Sequence, residues 1–396
     1  MKQKPKEFYT EIEQFIDTEY FLASLSDGFR RVVDPRESDN QIYQFTHLLL
    51  MIVCAVLAGA NTIVDIHAYA VAKERLFRQF LGTEKVPSYS VFWWLITRMD
   101  PKGLEECLIG WIQSLPNEIK QKIVAIDGKR LRGASRSQKI HLVSAWDSLK
   151  SLLLGQVKTA EKSNEIRAIP ELLENIDLNN AVVTIDAAGC QKDIVKKIRE
   201  RGGDYVIALK GNQGNLLAEA ENFFQQAANA HYEGAECDRF SVSEKGHGRI
   251  EEREVVVTNR LDWLNLQEDW SGLNSMIEVT SRRTIHETTT EEKRYYISSK
   301  IFSAREAGDI IRSHWSIENR LHWSMDVNFL EDRCLVSVGH APENFAIFRR
   351  LVAALIRMKL GGVAGTARLR RQARWNDESM LEILSEIFSI EGVKKL

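Results

Sequence analysis

The sequence has few cysteines and none of the spacings that usually bind zinc. Its 5 cysteines, in 396 residues, are scattered along the chain and form no Cys-x-x-Cys pair. An odd and dispersed set argues against a disulfide framework and against a structural zinc site, and it favours a reducing compartment. The first residues, MKQKPKEFYTEIEQ, are charged and contain no signal-peptide apolar core. We therefore expect a cytoplasmic protein.

The chain also lacks a long apolar run and a strong net charge. The stretch HLLLMIVCAVLAGA at 47–60 runs into Asn61 and Thr62. It is too short to span a membrane, so it predicts a buried helix and no membrane partner. The formal net charge of −2 does not by itself indicate a nucleic-acid binder. With 44% hydrophobic residues and this length, we expect two or three units with sizeable cores.

Basic residues are concentrated in two places. The C-terminal run, which contains no acid between 349 and 376, consists of Arg349, Arg350, Arg357, Lys359, Arg368, Arg370, Arg371 and Arg374. A second cluster directly follows Asp127 and consists of Lys129, Arg130, Arg132, Arg136 and Lys139. A single charge run is usually a solvated face. Two runs, one of them beside a candidate metal ligand, favour contacts with phosphate groups.

Helical patterns dominate the first hundred residues. Residues 45–70 predict a buried helix and its continuation, and 71–81 carry amphipathic spacing. In 86–101, Pro87-Ser88 is a start signal and Asp100-Pro101 a stop signal. A short helix after a turn fits a helix-turn-helix reader of DNA, but its apolar residues fit an aromatic-rich helix in a small bundle equally well.

A different rhythm begins at residue 122 and predicts the order βββαβαβ. The strands are expected at 123–127, 140–147, 151–159, 181–186 and 204–210, and the helices at 163–176 and 190–202. After a helix near 216–230, alternating segments to about 300 predict a β-rich insertion, with a hairpin turn at 245–248. The rest is expected to be helical at 341–360 and 376–388, with a basic loop between these helices.

Three acids lie in settings that a mixed α/β core would bring together. Asp127 and Asp186 each end an apolar strand pattern, and Glu318 lies in the helical pattern at 314–326. Hard oxygen ligands of this kind suit Mg²⁺ or Mn²⁺, and two such ions can promote phosphodiester cleavage. Taken singly, Asp127 also fits a turn residue, Asp186 a helix cap, and Glu318 half of an exposed ion pair with Arg320 or Arg312.

Four motifs in order carry a resemblance to a known family. They are IVAIDGKRLRG, VVTIDAAGCQKDI, YVIALKGNQ and HWSIENRLHWSMDVNFLEDRC. Over nearly its whole length the chain resembles the H-repeat-associated group of DDE insertion-sequence transposases. The resemblance implies an RNase H-like catalytic core, double-stranded DNA as substrate, a homodimer in the DNA complex and a bacterial cytoplasmic, nucleoid-associated protein. The βββαβαβ order read from the residues agrees with such a core.

Carried over by motif, the resemblance gives Asp127, Asp186 and Glu318 as catalytic residues and as ligands of two Mg²⁺ or Mn²⁺ ions. Asp326 is the alternative third acid. The expected units are a helical, DNA-end-binding domain at 1–115, an RNase H-like core at 120–211 plus 301–360, the β-rich insertion at 212–300 and a basic helical tail at 361–396.

The expected DNA contacts are basic or polar residues near these acids, namely Lys129, Arg130, Arg132, Lys210, His314, Asn319 and His322. In similar transposases a basic residue commonly precedes the glutamate by a turn and another follows it, where this chain has His314 and Met325-Asp326. Trp315 and Trp323 form a stripe with Asn319, which fits either core packing or base stacking.

We expect a DNA transposase that binds the terminal inverted repeats of its own element and catalyses strand cleavage and strand transfer. Two alternatives remain open. One is a catalytically inactive, DNA-binding transposase remnant. The other is a zinc-dependent hydrolase, because His314, Glu318 and His322 stand at i, i+4 and i+8.

Overall fold

The structure is a computed structural model that describes residues 32–36, 41–114, 122–132, 140–159, 165–246, 248–265, 267–360 and 365–392. In these ranges the helices are α1 Phe45–Ala58, α2 Ile63–Ala72, α3 Glu74–Leu81, α4 Tyr89–Arg98, α5 Pro101–Ser114, α6 Glu165–Glu174, α7 Lys192–Glu200, α8 Gly214–Asn229, α9 Ala304–His314, α10 Trp323–Val327, α11 Ala341–Leu360, α12 Thr366–Trp375 and α13 Asp377–Gly392. The strands are β1 Lys122–Arg130, β2 His141–Asp147, β3 Leu152–Thr159, β4 Ala181–Ile185, β5 Asp204–Leu209, β6 Cys237–Gly246, β7 Arg249–Thr258, β8 Ser275–Ile285 and β9 Thr288–Ser298.

All of these strands belong to one mixed sheet, in the order β3-β2-β1-β4-β5-β9-β8-β7-β6. The β1–β4 and β4–β5 pairs are parallel, and the other neighbouring pairs are antiparallel. Every residue of β4, AVVTI, is buried, as expected for a central strand covered on both faces. The predicted β-rich segment therefore extends the sheet that contains β1, because β9 pairs with β5.

The mixed α/β class and the order of the first five strands are confirmed, and three local predictions are wrong. Strand β1 continues to Arg130, beyond the predicted end at residue 127, so Asp127 lies within the strand. The basic stretch predicted as a loop contains helix α12. The predicted helix at 45–70 is interrupted at Gly59, whose φ of 110° lies in the left-handed region that favours glycine.

Helices cover both faces of the sheet. Helices α6, α7 and α8 pack on one face through the core residues Leu172, Ile198 and Phe224. Helix α9 packs on the opposite face, where Ile310 and Ile311 contact the β7–β8 region.

The N-terminal and C-terminal helices share a core with each other. The apolar cluster that contains Leu49 of α1 and Phe92 of α4 also contains Phe348 of α11 and the Ile317–Phe329 segment. The N-terminal helices therefore pack directly on the elements that follow Glu318. The division into four units stays a prediction.

No single helix among the described residues is long and apolar enough to cross a membrane. The pair α1 and α2 meets the length and composition requirement only when taken together, and it is bent by 98° at the break.

A largely buried group of charges, which we call the Lys129 network, connects β1 to the C-terminal helices. The Lys129 ammonium forms an ion pair with Asp326 and lies 3.3 Å from Glu331. On its other side, Glu331 accepts a hydrogen bond of 2.8 Å from Arg350, whose side chain is fully buried. Lys129 also lies 3.4 Å from the carbonyl oxygen of His322. One ammonium thus links the strand of Asp127 to the segment that contains Glu318 and His322.

The central acid of this network is ionised in the folded protein. Burial alone would raise the pKa of the Glu331 carboxyl, but the charges of Arg350 and Lys129 lower it to about 2. A carboxyl whose pKa is lower in the folded than in the unfolded chain stabilises the fold above its unfolded pKa of about 4.3. This stabilisation is lost as the pH falls through about 2.

We expect Glu331→Gln to destabilise the protein strongly at pH 7. The substitution leaves the ammonium of Lys129 and the guanidinium of Arg350 buried without their shared counter-ion, which typically costs about 3–5 kcal/mol. Urea denaturation measures the change in the free energy of unfolding. The difference from the unmodified protein should shrink as the pH is lowered from about 5 towards 2, because Glu331 then contributes less.

Glu291→Gln is the matched control, because Glu291 pairs with Arg282 at 2.7 Å while both side chains are more than 40% exposed. An exposed pair of this kind contributes less than about 1 kcal/mol. Equal losses of stability in the two variants would show that the network does not stabilise the fold in the way we describe.

Candidate active site

Asp127 lies on an interior strand of the sheet, the third from one edge. Its strand β1 is flanked by β2, where Ser144 faces Asp127 in register, and by the parallel strand β4. The side chain of Asp127 is only 20% exposed. Burial raises the pKa of its carboxyl to about 6, the charges of Glu318 and Asp186 add to this rise, and the nearby His322 opposes it. A buried acid with neighbours of the same charge is typical of a functional site.

Glu318 lies on a π-helical turn. The residues Ile317–His322 form this turn between α9 and α10, and Ile317 and Leu321 are buried within the helical core. Such turns widen a helix by one residue and are frequent at functional sites. The Glu318 side chain is 55% exposed, so it remains accessible from solvent. The nearby His322 imidazole lowers the pKa of the Glu318 carboxyl.

Asp127, Glu318 and His322 bring three metal-binding atoms together. The Nδ1 atom of His322 lies 3.6 Å from an oxygen of Asp127 and 3.7 Å from an oxygen of Glu318. One donor atom from each residue lies within 4.8 Å of the other two. Two carboxylates and one imidazole are donors that divalent cations accept, so these residues fit a metal ion. The sequence predicts the two acids as ligands and His322 as a DNA contact, and it makes His322 a metal ligand only in the zinc-hydrolase alternative.

Asp186 lies beside Asp127 without belonging to that group of three atoms. It directly follows β4, and the parallel pairing of Ile126 with Ile185 places the two aspartates at the same level of the sheet. The Asp186 carboxylate accepts hydrogen bonds from the backbone N–H of Ala188, at 3.0 Å, and from the next residue, at 3.4 Å. It therefore caps the short helix that follows, as one of the alternative interpretations of this acid requires.

His314 does not join Glu318 and His322 at a common site. Its Nδ1 atom is 3.0 Å from the Thr184 hydroxyl on β4, and burial lowers the pKa of its imidazole. Among the described residues, the group able to hold a metal consists of Asp127, Glu318 and His322. The zinc-hydrolase alternative requires His314 where this group has Asp127. The ligand set of that alternative is therefore wrong, because His314 points at the sheet.

Lys129 and Asp326 form an ion pair with each other. The Lys129 side chain is 9% exposed and lies between Asp326 and Glu331, so the structure does not present it to DNA. The predicted phosphate contact at Lys129 is therefore wrong in this structure, because the internal ion pairs take its charge. Asp326, the alternative third acid, lies outside the group of ligand atoms that contains Glu318.

Four other predicted DNA contacts are exposed residues. They are Arg130, Arg132, Lys210 and Asn319. Arg132 is 79% exposed and lies 3.7 Å from Asp332. Arg136 and Lys139 of the same basic cluster lie outside the described residues.

The C-terminal basic run divides into buried and exposed residues. Arg349, Arg350, Arg357 and Arg370 are each less than 9% exposed. Arg357 stacks over the ring of Trp146 at 4.4 Å, and Arg370 lies over Phe329. The prediction of phosphate contacts is wrong for these four arginines, because their charges are used inside the helical core. Arg368, Arg371 and Arg374 are exposed.

Two tryptophans near the site are exposed. Trp315 is 47% exposed and Trp323 is 52% exposed, with the exposed Asn319 between them in sequence. The interpretation of these rings as core residues is therefore wrong, whereas base stacking remains compatible with their exposure. Arg294 of β9 lies over the Trp315 ring at 5.4 Å. No sequence motif indicated Arg294, because only the pairing of β9 with β5 brings it to this side of the sheet.

Two protein families match segments of this chain. A family described as "Transposase DDE domain" matches residues 118–355, which include all three predicted catalytic acids. A second family, described as "DDE_Tnp_1-associated", matches residues 26–112, the N-terminal helical segment.

Bacterial relatives match nearly the whole chain. It is 34% identical over 374 residues to "H repeat-associated putative transposase YhhI" of Escherichia coli strain K12, covering 92% of this chain and 98% of the relative. It is 35% identical over 388 residues to "Putative transposase YncI" of Escherichia coli O157:H7, covering 95% of this chain and 99% of the relative. The chain therefore belongs to the DDE transposase family.

Proposed function

We propose that this protein is an insertion-sequence transposase that cuts and joins DNA strands at a site built from Asp127, Asp186 and Glu318. The observation that carries the proposal is the approach of Glu318 to Asp127. Nearly half of the chain separates these residues in sequence, yet their carboxylates belong to one group of donor atoms within 4.8 Å. Asp186 supports the site from the adjacent parallel strand.

The strand order supports an RNase H-like core. The first five strands lie in the order β3-β2-β1-β4-β5, with β1–β2–β3 antiparallel and β1–β4–β5 parallel. In this arrangement the middle strand and its parallel neighbour each supply one aspartate. The β-rich segment then separates this core in sequence from α9 and the turn that contains Glu318.

Two Mg²⁺ or Mn²⁺ ions held by the three acids would supply activation of the attacking hydroxyl and charge relief at the leaving oxygen. The protein's own residues contribute positioning. Asp127 is a neighbour of both other acids. The Lys129 network holds β1 against the Glu318 segment. The exposed side of Glu318 leaves room for a phosphate group.

The surface around the acids supports DNA as the substrate. Arg130 and Arg132 follow Asp127 in the chain, Lys210 directly follows β5, and all three residues are exposed. They would contact phosphates without specifying sequence. Trp315 and Trp323 offer exposed rings on which unpaired bases at an element end could stack. We further propose that the N-terminal helices bind the terminal inverted repeats, with help from the exposed arginines of α12. A homodimer would hold two element ends together in the cytoplasm, near the nucleoid.

We expect Asp127→Asn and Glu318→Gln each to abolish cleavage of supercoiled plasmid that contains an element end. Removing one charge-bearing group from such a site should reduce the rate about 100-fold or more, while DNA binding measured by gel retardation persists. Asp309→Asn, an exposed acid on α9, is the control and should cleave normally. Retardation without cleavage by the unmodified protein in both Mg²⁺ and Mn²⁺ would favour the inactive remnant instead.

We expect Trp315→Ala and Trp323→Ala to weaken binding to duplexes with unpaired terminal bases. Loss of base stacking typically costs about 1–3 kcal/mol per base, which corresponds to roughly 5-fold to 150-fold in affinity. Fluorescence anisotropy with blunt and frayed duplexes measures this change. Ile285→Ala, at a 39% exposed residue at the end of β8, is the control. An equal loss with blunt duplexes would argue against stacking on unpaired bases.

We expect Asp127→Asn to stabilise the metal-free protein, more so at pH 8 than at pH 4.5. A carboxyl with a pKa raised to about 6 favours folding at low pH, and this stability is lost as the pH rises through that value. Above it, the folded state bears the full cost of the buried charge. Relief of each kcal/mol should raise the melting temperature by about 2–4 °C.

Differential scanning calorimetry with chelator present measures this change. Asp262→Asn, at a side chain that is 85% exposed, is the control and should leave the melting temperature unchanged. A lower melting temperature for Asp127→Asn at pH 8, with the fold intact, would contradict the convergence of the acids.

A further inference from the structure

His322 occupies a position that the proposed function does not explain. Its side chain is 7% exposed, and its Nε2 atom is buried without a hydrogen-bond partner. Its Nδ1 atom faces oxygens of Asp127 and Glu318 at 3.6 and 3.7 Å. The ring lies under the acids, so it is poorly placed to contact a DNA phosphate.

The separations around Nδ1 fit the spacing of ligands around one ion. Hydrogen bonds between these groups would have lengths of about 2.7–3.2 Å, so the His322 imidazole is too far from either carboxylate to form a normal hydrogen bond with it. Donor atoms that each lie about 2.0–2.2 Å from a shared cation are roughly 3–4 Å apart. Both observed distances fall within that interval.

The local backbone accounts for this placement of the ring. Glu318 and His322 both lie on the π-helical turn, and Leu321 beside them is buried in the helical core. The carbonyl oxygen of His322 lies 3.4 Å from the Lys129 ammonium. The backbone at His322 is therefore held against β1, which orients the ring towards Asp127.

We propose that His322 is a direct metal ligand, together with Asp127 and Glu318, and that this ion site prefers Mn²⁺ over Mg²⁺. This inference rests on the proposed function, which already places a divalent ion at the two acids. Mg²⁺ strongly prefers oxygen ligands, whereas transition-metal ions accept imidazole readily. One nitrogen and two carboxylate oxygens therefore form a mixed site, and the nitrogen favours the transition-metal ion.

The direct test is pulsed electron paramagnetic resonance of Mn²⁺ bound to the full-length protein without DNA. An imidazole ligand gives a ¹⁴N modulation of the Mn²⁺ signal, and we expect this modulation to disappear in His322→Gln. His314→Gln is the matched control, because His314 is bonded to Thr184 on the neighbouring strand and should leave the modulation in place. Loss of the modulation in the His314 variant, or its persistence in the His322 variant, would overturn the assignment.

Metal titration by calorimetry provides a second, independent measurement. We expect His322→Gln to lower the affinity for Mn²⁺ by at least about 10-fold to 100-fold, the loss that substitution of residues beyond the ligands already causes, while the affinity for Mg²⁺ changes less than about 3-fold. His322→Asp supplies an oxygen instead of a nitrogen and should shift the preference towards Mg²⁺. Equal losses for both ions in His322→Gln would contradict the proposed preference.

These measurements separate this inference from the proposed function. If the protein binds Mn²⁺ with the ¹⁴N modulation but does not cleave element-end DNA, the transposase activity fails and the ligand assignment stands. If the protein cleaves DNA and the bound Mn²⁺ shows no ¹⁴N modulation, the assignment of His322 fails alone.

Discussion

The architecture of the site depends on one largely buried group of ion pairs, in which Lys129 of β1 contacts Asp326 and Glu331. Buried charges are costly to desolvate, so the network is favourable only while its partners remain together. Arg350 of α11 completes it from the C-terminal side. The same contacts that neutralise these charges therefore set the position of the Glu318 turn relative to Asp127. Lys129, two residues after Asp127, therefore forms its ion pairs within the protein.

Much of the fold could be predicted from the sequence, because apolar patterns report burial directly. The five strands of the first half, the hairpin turn near Gly246 and the helix Ala341–Leu360 were all located by local pattern. Strand ends were less predictable. Residues after Asp127 are polar, yet β1 continues to Arg130 because β2 pairs with it through Arg130–His141. That pairing joins residues from two separate strands, so a short stretch of sequence around Asp127 does not reveal it.

The candidate site was predictable in part, for a related reason. Sequence shows which residues carry charge, but it does not show which partners they meet. The sequence predicts phosphate contacts for Arg350 and Lys129, but in the fold Glu331 lies between these two residues and pairs with both. For Trp315 the sequence fits either core packing or base stacking, and the fold leaves the residue 47% exposed. His322 was singled out by its helical spacing from Glu318, whereas its approach to Asp127 arises only in three dimensions.

The π-helical turn at Ile317–His322 also bears on how the length of this chain can vary. Such a turn arises from one additional residue in an α-helix. Deleting one residue between Glu318 and His322 would return the segment to a regular α-helix and change their spacing from four residues to three, so the two side chains would no longer point in the same direction. His322 would then rotate away from Asp127, and Asp326, which pairs with Lys129, would move with it. Insertions and deletions should therefore accumulate in the hairpin loops of the outer strands, while this short segment keeps a fixed length across descendants of the element.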